Sequence, residues 1–307
     1  MVLLVLAEQL QSVMFFQPFL HLYQHALQPI APFSWFGLGI SSLDLLGAFR
    51  LCYALRQIRE TLRNEHTHRR TTSSNIPAPE DRSFTRDAFT TLAVVFGGEA
   101  IIAPLVGIPP SFMVSGVYPI LYIVMQALVD TIPNLPLPSL NTELPLNVID
   151  GYTRALLLCG IIPPAVLSST SPGIALSPWA LLLSSLVITN GGFLLTNLFS
   201  FLHPTPLALT TPAEFQQYGW TATDLWSAPL ITGLYATLTH AQPFWEELHI
   251  VLSTALGASE GGKVEPLDPD TARTACALLL AGMFATRSVR TYGSLWKKNV
   301  AEKIKMN

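Results

Sequence analysis

Lysine and arginine are absent from two long stretches of this 307-residue chain, residues 87–153 and residues 155–262. Only 12% of the residues are charged, 50% are hydrophobic, and the mean hydropathy is +0.42. Soluble domains carry about twice that share of charge, and long cation-free stretches are typical of chains whose solvent is hydrocarbon. The sequence therefore predicts an all-α polytopic membrane protein. A net charge of −3 argues against a nucleic-acid-binding protein.

Seven apolar stretches come close to the length of about 20 residues that a helix needs to cross a bilayer. They are residues 33–55, 88–108, 113–130, 148–167, 178–202, 223–241 and 271–289. We expect residues 1–32 to form a segment at the membrane surface and residues 33–290 to form a seven-helix membrane domain.

The positions of the cations predict the orientation of these helices. Eight cations lie between Arg50 and Arg86, and six lie between Arg287 and Lys305. Because cytoplasmic loops keep Lys and Arg, we expect a basic loop at 56–86 and a basic tail at 291–307 in the cytosol. The acidic segment 242–270 then lies on the opposite side. The loop at 56–86 is expected to be solvated; it serves as a topology signal or also contacts anionic lipid.

Two glycine doublets occupy matching places in the second and fifth apolar stretches. Gly97-Gly98 lies near the middle of the one and Gly191-Gly192 near the middle of the other. If helices one to three and four to six are copies, they form an inverted 3+3 repeat, followed by a seventh helix. The doublets would then kink helices two and five and free backbone carbonyls at depth. The alternative is that these glycines only permit close helix packing.

Polar residues at membrane depth are costly and therefore indicate function. Glu99 directly follows the first doublet, and Asn190 directly precedes the second. Glu99 could face a water-filled path, or be a protonated structural residue, whereas Asn190 could supply a carbonyl oxygen or bond a neighbouring helix. Arg154 is a further candidate. Asp44 lines a pore or pairs with a polar neighbour.

Signatures of catalysis are missing from the sequence. His203, His240 and His249 occur without an HExxH motif, and no nucleophile elbow, phosphate-binding loop or dinucleotide fingerprint is present. We therefore expect no enzyme, no metal site and no cofactor. The three cysteines are expected to be buried free thiols. They are Cys52, Cys159 and Cys276.

Three segments resemble the family of trimeric intracellular cation channels. Residues 96–107, which begin Phe-Gly-Gly-Glu, are similar to the second helix of that family. Residues 191–197 are similar to its glycine-kinked fifth helix, and residues 228–238 to its sixth. The order of seven helices and the arginine-rich first loop also agree, so the resemblance extends loosely over residues 35–290.

The resemblance implies a homotrimer in the endoplasmic reticulum or the nuclear envelope, with a pore for K⁺ and other monovalent cations in each subunit. In the family, the kinks of helices two and five shape the pore, and two basic residues four apart on helix four hold a phosphoinositide. Here Arg154 matches the second of these, whereas the first falls on Asp150, whose charge would repel phosphate.

We therefore expect a K⁺ channel that supplies counter-ion current when Ca²⁺ leaves or enters a store. The alternatives are a secondary transporter built on an inverted repeat and a membrane scaffold that does not conduct. Kinked backbone, side-chain oxygens and water would replace part of the hydration shell of the ion. The pore and hinge residues predicted on this basis are Gly97, Gly98, Glu99, Asn190, Gly191 and Gly192.

Overall fold

A computed structural model describes residues 16–30, 39–72, 76–136, 138–205, 207–257 and 264–306. This part of the chain is helical and contains no β-strand beyond an isolated bridge between Pro29 and Ser41. The principal helices are α1 (Gln17–Ala26), α2 (Ser42–Thr72), α3 (Phe84–Val106), α4 (Val117–Asp130), α5 (Leu140–Ala155), α6 (Ile162–Leu167), α7 (Pro178–Leu198), α8 (Thr223–Thr239), α9 (Pro243–Ala255) and α10 (Pro269–Met306). Short helical turns lie at Ser111–Val114, Pro172–Ala175, Ala213–Phe215 and Gly219–Thr221.

The all-α prediction is confirmed for the described residues. By length and composition, α3 and α7 are long and apolar enough to cross a membrane, and α4 is apolar but shorter. These helices agree with a membrane protein. Each of the seven apolar stretches contains a helix, although residues 33–38 of the first stretch and most of the segment 1–32 lie outside the described residues.

Helix α2 differs from the predicted first span at both ends. It begins at Ser42, so Asp44 lies in its first turn instead of at mid-span. The Asp44 carboxylate accepts hydrogen bonds from Ser41 N (2.9 Å) and Ser41 Oγ (2.6 Å), while Ser41 Oγ accepts one from Asp44 N. This reciprocal cap fixes the start of the helix. The pairing of Asp44 with a polar neighbour, one of its two predicted roles, is thus what the structure contains.

At its other end, α2 continues to Thr72, so the prediction of a solvated loop from residue 56 is wrong for residues 56–72. This stretch contains neither Gly nor Pro, and Arg56 pairs with Glu60 one turn later at 2.9 Å. The basic tail is also helical, because α10 runs past 291 to Met306.

A π-helical segment, Leu156–Ile161, joins α5 to α6. Pro163 and Pro164 follow it and have no N–H to donate to the carbonyls one turn earlier. The wider hydrogen-bond pattern of the π-segment accommodates the missing donors. The backbone before the proline pair is therefore irregular, but it stays within a continuous helical path.

The principal core lies where α5 and α6 pack against α7, α8 and α10. Leu158, Ile231, Leu280 and Phe284 are fully buried there. Helices α5 and α10 approach so closely that a Cβ atom on Gly151 would lie 2.5 Å from Ala281 N. The three cysteines are buried and free, as predicted.

Candidate functional site

A polar cavity of about 470 Å³ lies among α2, α5, α7, α8 and α10. Helix α2 contributes one wall with Arg50, α5 contributes Asp150 and Arg154, and α7 contributes Thr189 and Asn190. Its charged lining residues are Arg50, Arg154, Arg287, Glu143, Asp150, Glu214 and Asp224. Four carboxylates therefore face three guanidinium groups in one cavity.

Ion pairs tie together four of the helices around the cavity. Arg154 lies between Asp150, four residues earlier on α5, at 3.3 Å and Asp224 of α8 at 3.5 Å. Arg50 of α2 approaches Asp150 at 3.7 Å, and Arg287 of α10 pairs with Asp224. Each of the two aspartates thus serves two arginines, and this shared compensation is what permits the burial of so much charge.

Asn147 adds hydrogen bonds to this network. Its Oδ1 accepts from Arg50 Nη2 at 3.0 Å and from Arg287 Nη2 at 3.2 Å, and its Nδ2 donates to Ser288 Oγ at 2.7 Å. The guanidinium of Arg287 also lies 4.9 Å from the centre of the Phe284 ring, within range of a cation–π interaction. The arginine side of the cavity is therefore held by several directional contacts.

Other cavity atoms have no hydrogen-bond partner among the residues that the structure describes. The buried oxygens without a partner include Glu143 Oε1, Thr189 Oγ1 and Glu214 Oε2. One buried nitrogen of the cavity, Arg50 Nε, also lacks a hydrogen-bond partner. Since buried polar atoms normally find a partner, these oxygens are suited to water or a bound cation. Together with the excess of carboxylates, they give the cavity a cation-attracting lining.

Asn190 and Arg154 are the two predicted site residues that line this cavity. Asn190 Nδ2 donates to Leu186 O one turn earlier at 2.9 Å. This bond is within its own helix, so the side chain does not join α7 to another helix through it. The Arg154 guanidinium is paired with two carboxylates, and its role as a lipid contact stays a prediction.

The glycine doublets lie where α3 crosses α7. A Cβ atom on Gly98 would lie 2.2 Å from Val187 O, and one on Gly192 would lie 1.9 Å from Val94 O. Across the same crossing, a Cβ on Gly191 would be 2.9 Å from Gly98 Cα. Both helices are continuous through the doublets.

This geometry corrects the expectation of a passage opened between the two doublets. Backbone contact between α3 and α7 fills that space, because glycine lets two helices approach until their main chains touch. Close packing, the alternative left open by the sequence, is what these glycines provide. Their role as hinges during conduction stays a prediction.

Glu99 serves a neighbouring turn. Its carboxylate accepts hydrogen bonds from Ser111 N at 2.5 Å and Ser111 Oγ at 2.8 Å, and so satisfies the start of the turn Ser111–Val114. Glu99 is not among the residues that line the cavity. The prediction that it faces a water-filled path is therefore not supported by its position.

The sequence analysis missed several of the carboxylates that line the cavity. These carboxylates lie outside the predicted spans or at their ends, where an acidic residue does not by itself indicate a site. They belong to Glu143, Glu214 and Asp224. The sequence feature that could have pointed to this charged cavity was the spacing of Asp150 and Arg154, which lie four residues apart and so share one face of a helix. Among the described residues, no group of three or more His, Cys, Asp or Glu is arranged to hold a metal ion.

Comparisons of the chain with family models, curated proteins and solved structures found no match. The resemblance to trimeric intracellular cation channels therefore stays a prediction based on the sequence motifs.

Proposed function

We propose that this chain is a polytopic membrane protein that conducts monovalent cations, chiefly K⁺, and that the polar cavity forms part of the conduction path. The observation that carries the proposal is the lining of the cavity, where carboxylates outnumber guanidinium groups and buried oxygens have no protein partner. Such oxygens can replace part of the hydration shell of an ion without binding it tightly. The path follows the cavity and not the crossing of the doublets.

The packing of the helices supports an inverted repeat. Gly97 and Gly191 lie 94 positions apart, as do Gly98 and Gly192. Gly98 meets residues 187 and 188, and Gly192 meets residues 93 and 94, which are again 94 apart. Contacts that are reciprocal at one offset are expected of two related units facing each other across a two-fold axis. In this proposal, six helices form the repeat and α10 is the seventh.

The assembly and location proposed here follow from the sequence resemblance. We propose a homotrimer in the endoplasmic reticulum or nuclear envelope, with the C-terminus in the cytosol and the current compensating the charge carried by Ca²⁺. A phosphoinositide is the lipid proposed to act on it.

The test is a planar bilayer recording of the purified protein in asymmetric KCl, since the reversal potential reports cation against anion preference. The double variant Glu143→Gln/Glu214→Gln removes two cavity charges that form no ion pair with any described residue. A unit charge about 4 Å from the ion is worth about 1 kcal/mol even in bulk water, and more at the lower dielectric of a protein cavity. We therefore expect the K⁺/Cl⁻ permeability ratio to fall roughly fivefold or more.

The double variant Glu246→Gln/Glu247→Gln is the matched control, because both residues are exposed on α9 and the pair of substitutions removes two charges away from the cavity. It should leave the reversal potential unchanged. An unchanged ratio in the Glu143→Gln/Glu214→Gln variant would remove the cavity from the path. Slow, saturable K⁺ uptake without unitary currents would favour the secondary transporter, and neither activity would favour the scaffold.

A further inference from the structure

A second cleft lies at the end of the helix bundle that carries the basic segment. It is formed by the extension of α2, the start of α3, the end of α4 and residues 202–204. Five arginines line it: Arg56, Arg59, Arg63, Arg82 and Arg86. The carboxylates that line it are Glu60, Asp87 and Asp130. Positive charge is therefore in excess here, although the chain as a whole has a net charge of −3.

The cleft also has unused hydrogen-bond donors. Arg59 Nη2 and Arg86 Nε are buried and have no hydrogen-bond partner in the described part of the chain, although Arg86 Nη1 pairs with Glu80 Oε2 at 3.2 Å. The side chain of Arg59 is only 11% exposed, and its paired carboxylate is that of Asp87 at 3.2 Å. Burial lowers the pKa of Arg59 even though Asp87 and Asp130 act in the opposite direction. The existing carboxylates thus compensate this buried guanidinium incompletely.

Two further arginines at the cleft are accessible to a ligand. The Arg82 side chain is 57% exposed and is paired only loosely with Glu60, at 3.8 Å. Arg63 donates to the backbone oxygen of Glu80 at 3.4 Å, in an exposed position. Both guanidinium groups can therefore turn toward an anion without breaking a close ion pair.

We propose that this cleft binds a phosphate group. Guanidinium groups bind phosphate through two parallel N–H···O bonds, and a phosphate has enough oxygens to use several arginines at once. Arg59 and Arg86 would supply the buried donors, and Arg63 and Arg82 would close over the exposed side. Either a lipid headgroup or a free phosphate compound presents this chemistry.

The two polar sites differ in what they lack. Among the described residues, the buried cavity atoms without a hydrogen bond are oxygens except for Arg50 Nε, whereas those of the arginine cleft are the N–H groups of Arg59 and Arg86 and one oxygen, Asp87 Oδ1, which is ion-paired with Arg59. A cation is therefore favoured in the first and an anion in the second. The phosphate site is separate from the cation path and from Arg154, the residue predicted to contact phosphoinositide.

The test is calorimetric titration of the purified full-length protein with inorganic phosphate and with short-chain phosphatidic acid, each against chloride at equal ionic strength. The variant is Arg63→Gln/Arg82→Gln, which leaves Arg56, Arg59 and Arg86 in place to hold the fold. Because the variant removes two charged hydrogen-bond donors to the phosphate, affinity should fall roughly tenfold or more.

Arg69→Gln/Arg70→Gln is the control, since both arginines are exposed on the same helix but are not part of the cleft. It should retain the affinity of the unmodified protein. Binding of both probes identifies the phosphate group itself as sufficient, and binding of phosphatidic acid alone identifies a lipid as the source. Failure of both probes, or an equal loss in the two variants, would overturn the proposal.

Discussion

Substituting Gly192 by Ala tests whether the doublets are a packing device. The added Cβ would lie 1.9 Å from Val94 O and 2.8 Å from Ala93 O, both of them backbone atoms that cannot rotate away. Restoring an ordinary contact requires α3 and α7 to separate by about 1.5 Å. Overpacking of this kind costs about 3 kcal/mol, and alanine returns about 1 kcal/mol of helix propensity. We expect a net loss of about 2 kcal/mol in the free energy of unfolding.

The assay is unfolding of the purified protein in mixed micelles by titration with sodium dodecyl sulfate, followed by circular dichroism. Gly282→Ala is the matched control, because Gly282 lies within α10 and a Cβ there would meet nothing within 4 Å. It should gain up to about 1 kcal/mol. Gly97→Ala should fall between the two, since its Cβ would lie 3.1 Å from Gly192 Cα.

The test depends on the order of stability of the three variants, with Gly192→Ala the least stable and Gly282→Ala the most stable. If Gly192→Ala were as stable as Gly282→Ala, the close crossing of α3 and α7 would not exist in the membrane. A larger residue at either doublet would disturb this packing before it could report on conduction. For that reason the cavity carboxylates give a cleaner test of the path than the glycines.

Two further predictions concern charge and pH. Asp224→Asn should leave Arg154 and Arg287 without full charge compensation in the cavity. We expect the free energy of unfolding to fall by about 1–2 kcal/mol in the same detergent titration, and the bilayer reversal potential to shift toward anion preference. A variant that is as stable and as cation-selective as the unmodified protein would contradict this. His240 Nε2 and His249 Nδ1 lie 2.9 Å apart, and burial followed by the nearby His240 lowers the pKa of His249. Below about pH 6.5 the unfolded chain therefore binds more protons than the folded chain, so the contribution of His249 to stability should be complete above about pH 6.5 and should decrease as the pH falls toward the lowered pKa. His249→Gln should flatten the profile of melting temperature against pH. An unchanged slope in this variant would refute the assignment.

The all-α class was predictable because apolar stretches of about 20 residues are typical of helices. Helix ends were less predictable: residues 56–72 were read as a loop from their polarity, although polarity without Gly or Pro does not end a helix. The role of the doublets could not be settled from sequence, since glycine permits both a bend and a close approach. Only the position of Val94 and Val187 across the crossing decides between them.

The polar cavity was only partly predictable for a different reason. Arg154 and Asn190 stood out because they lie within apolar stretches, whereas the carboxylates that balance Arg154 come from other helices. Asp224, for example, is 70 positions away in the chain and joins the network because α8 packs against α10, which in turn packs against α5. Charge compensation in a helix bundle is a tertiary property, so a single segment does not reveal it.

The offset of 94 residues also relates the two polar sites to each other. It carries Arg56 of α2 onto Asp150 of α5, and Glu60 of α2 onto Arg154. Each helix therefore has an ion pair four residues apart at the same place, but with the order of the charges reversed. If the two helices descend from one unit, the exchange of sign is a change made on a common scaffold. In the functions proposed here, the site beside α2 takes an anion and the site beside α5 takes a cation, so one fold would keep the two ions in separate places.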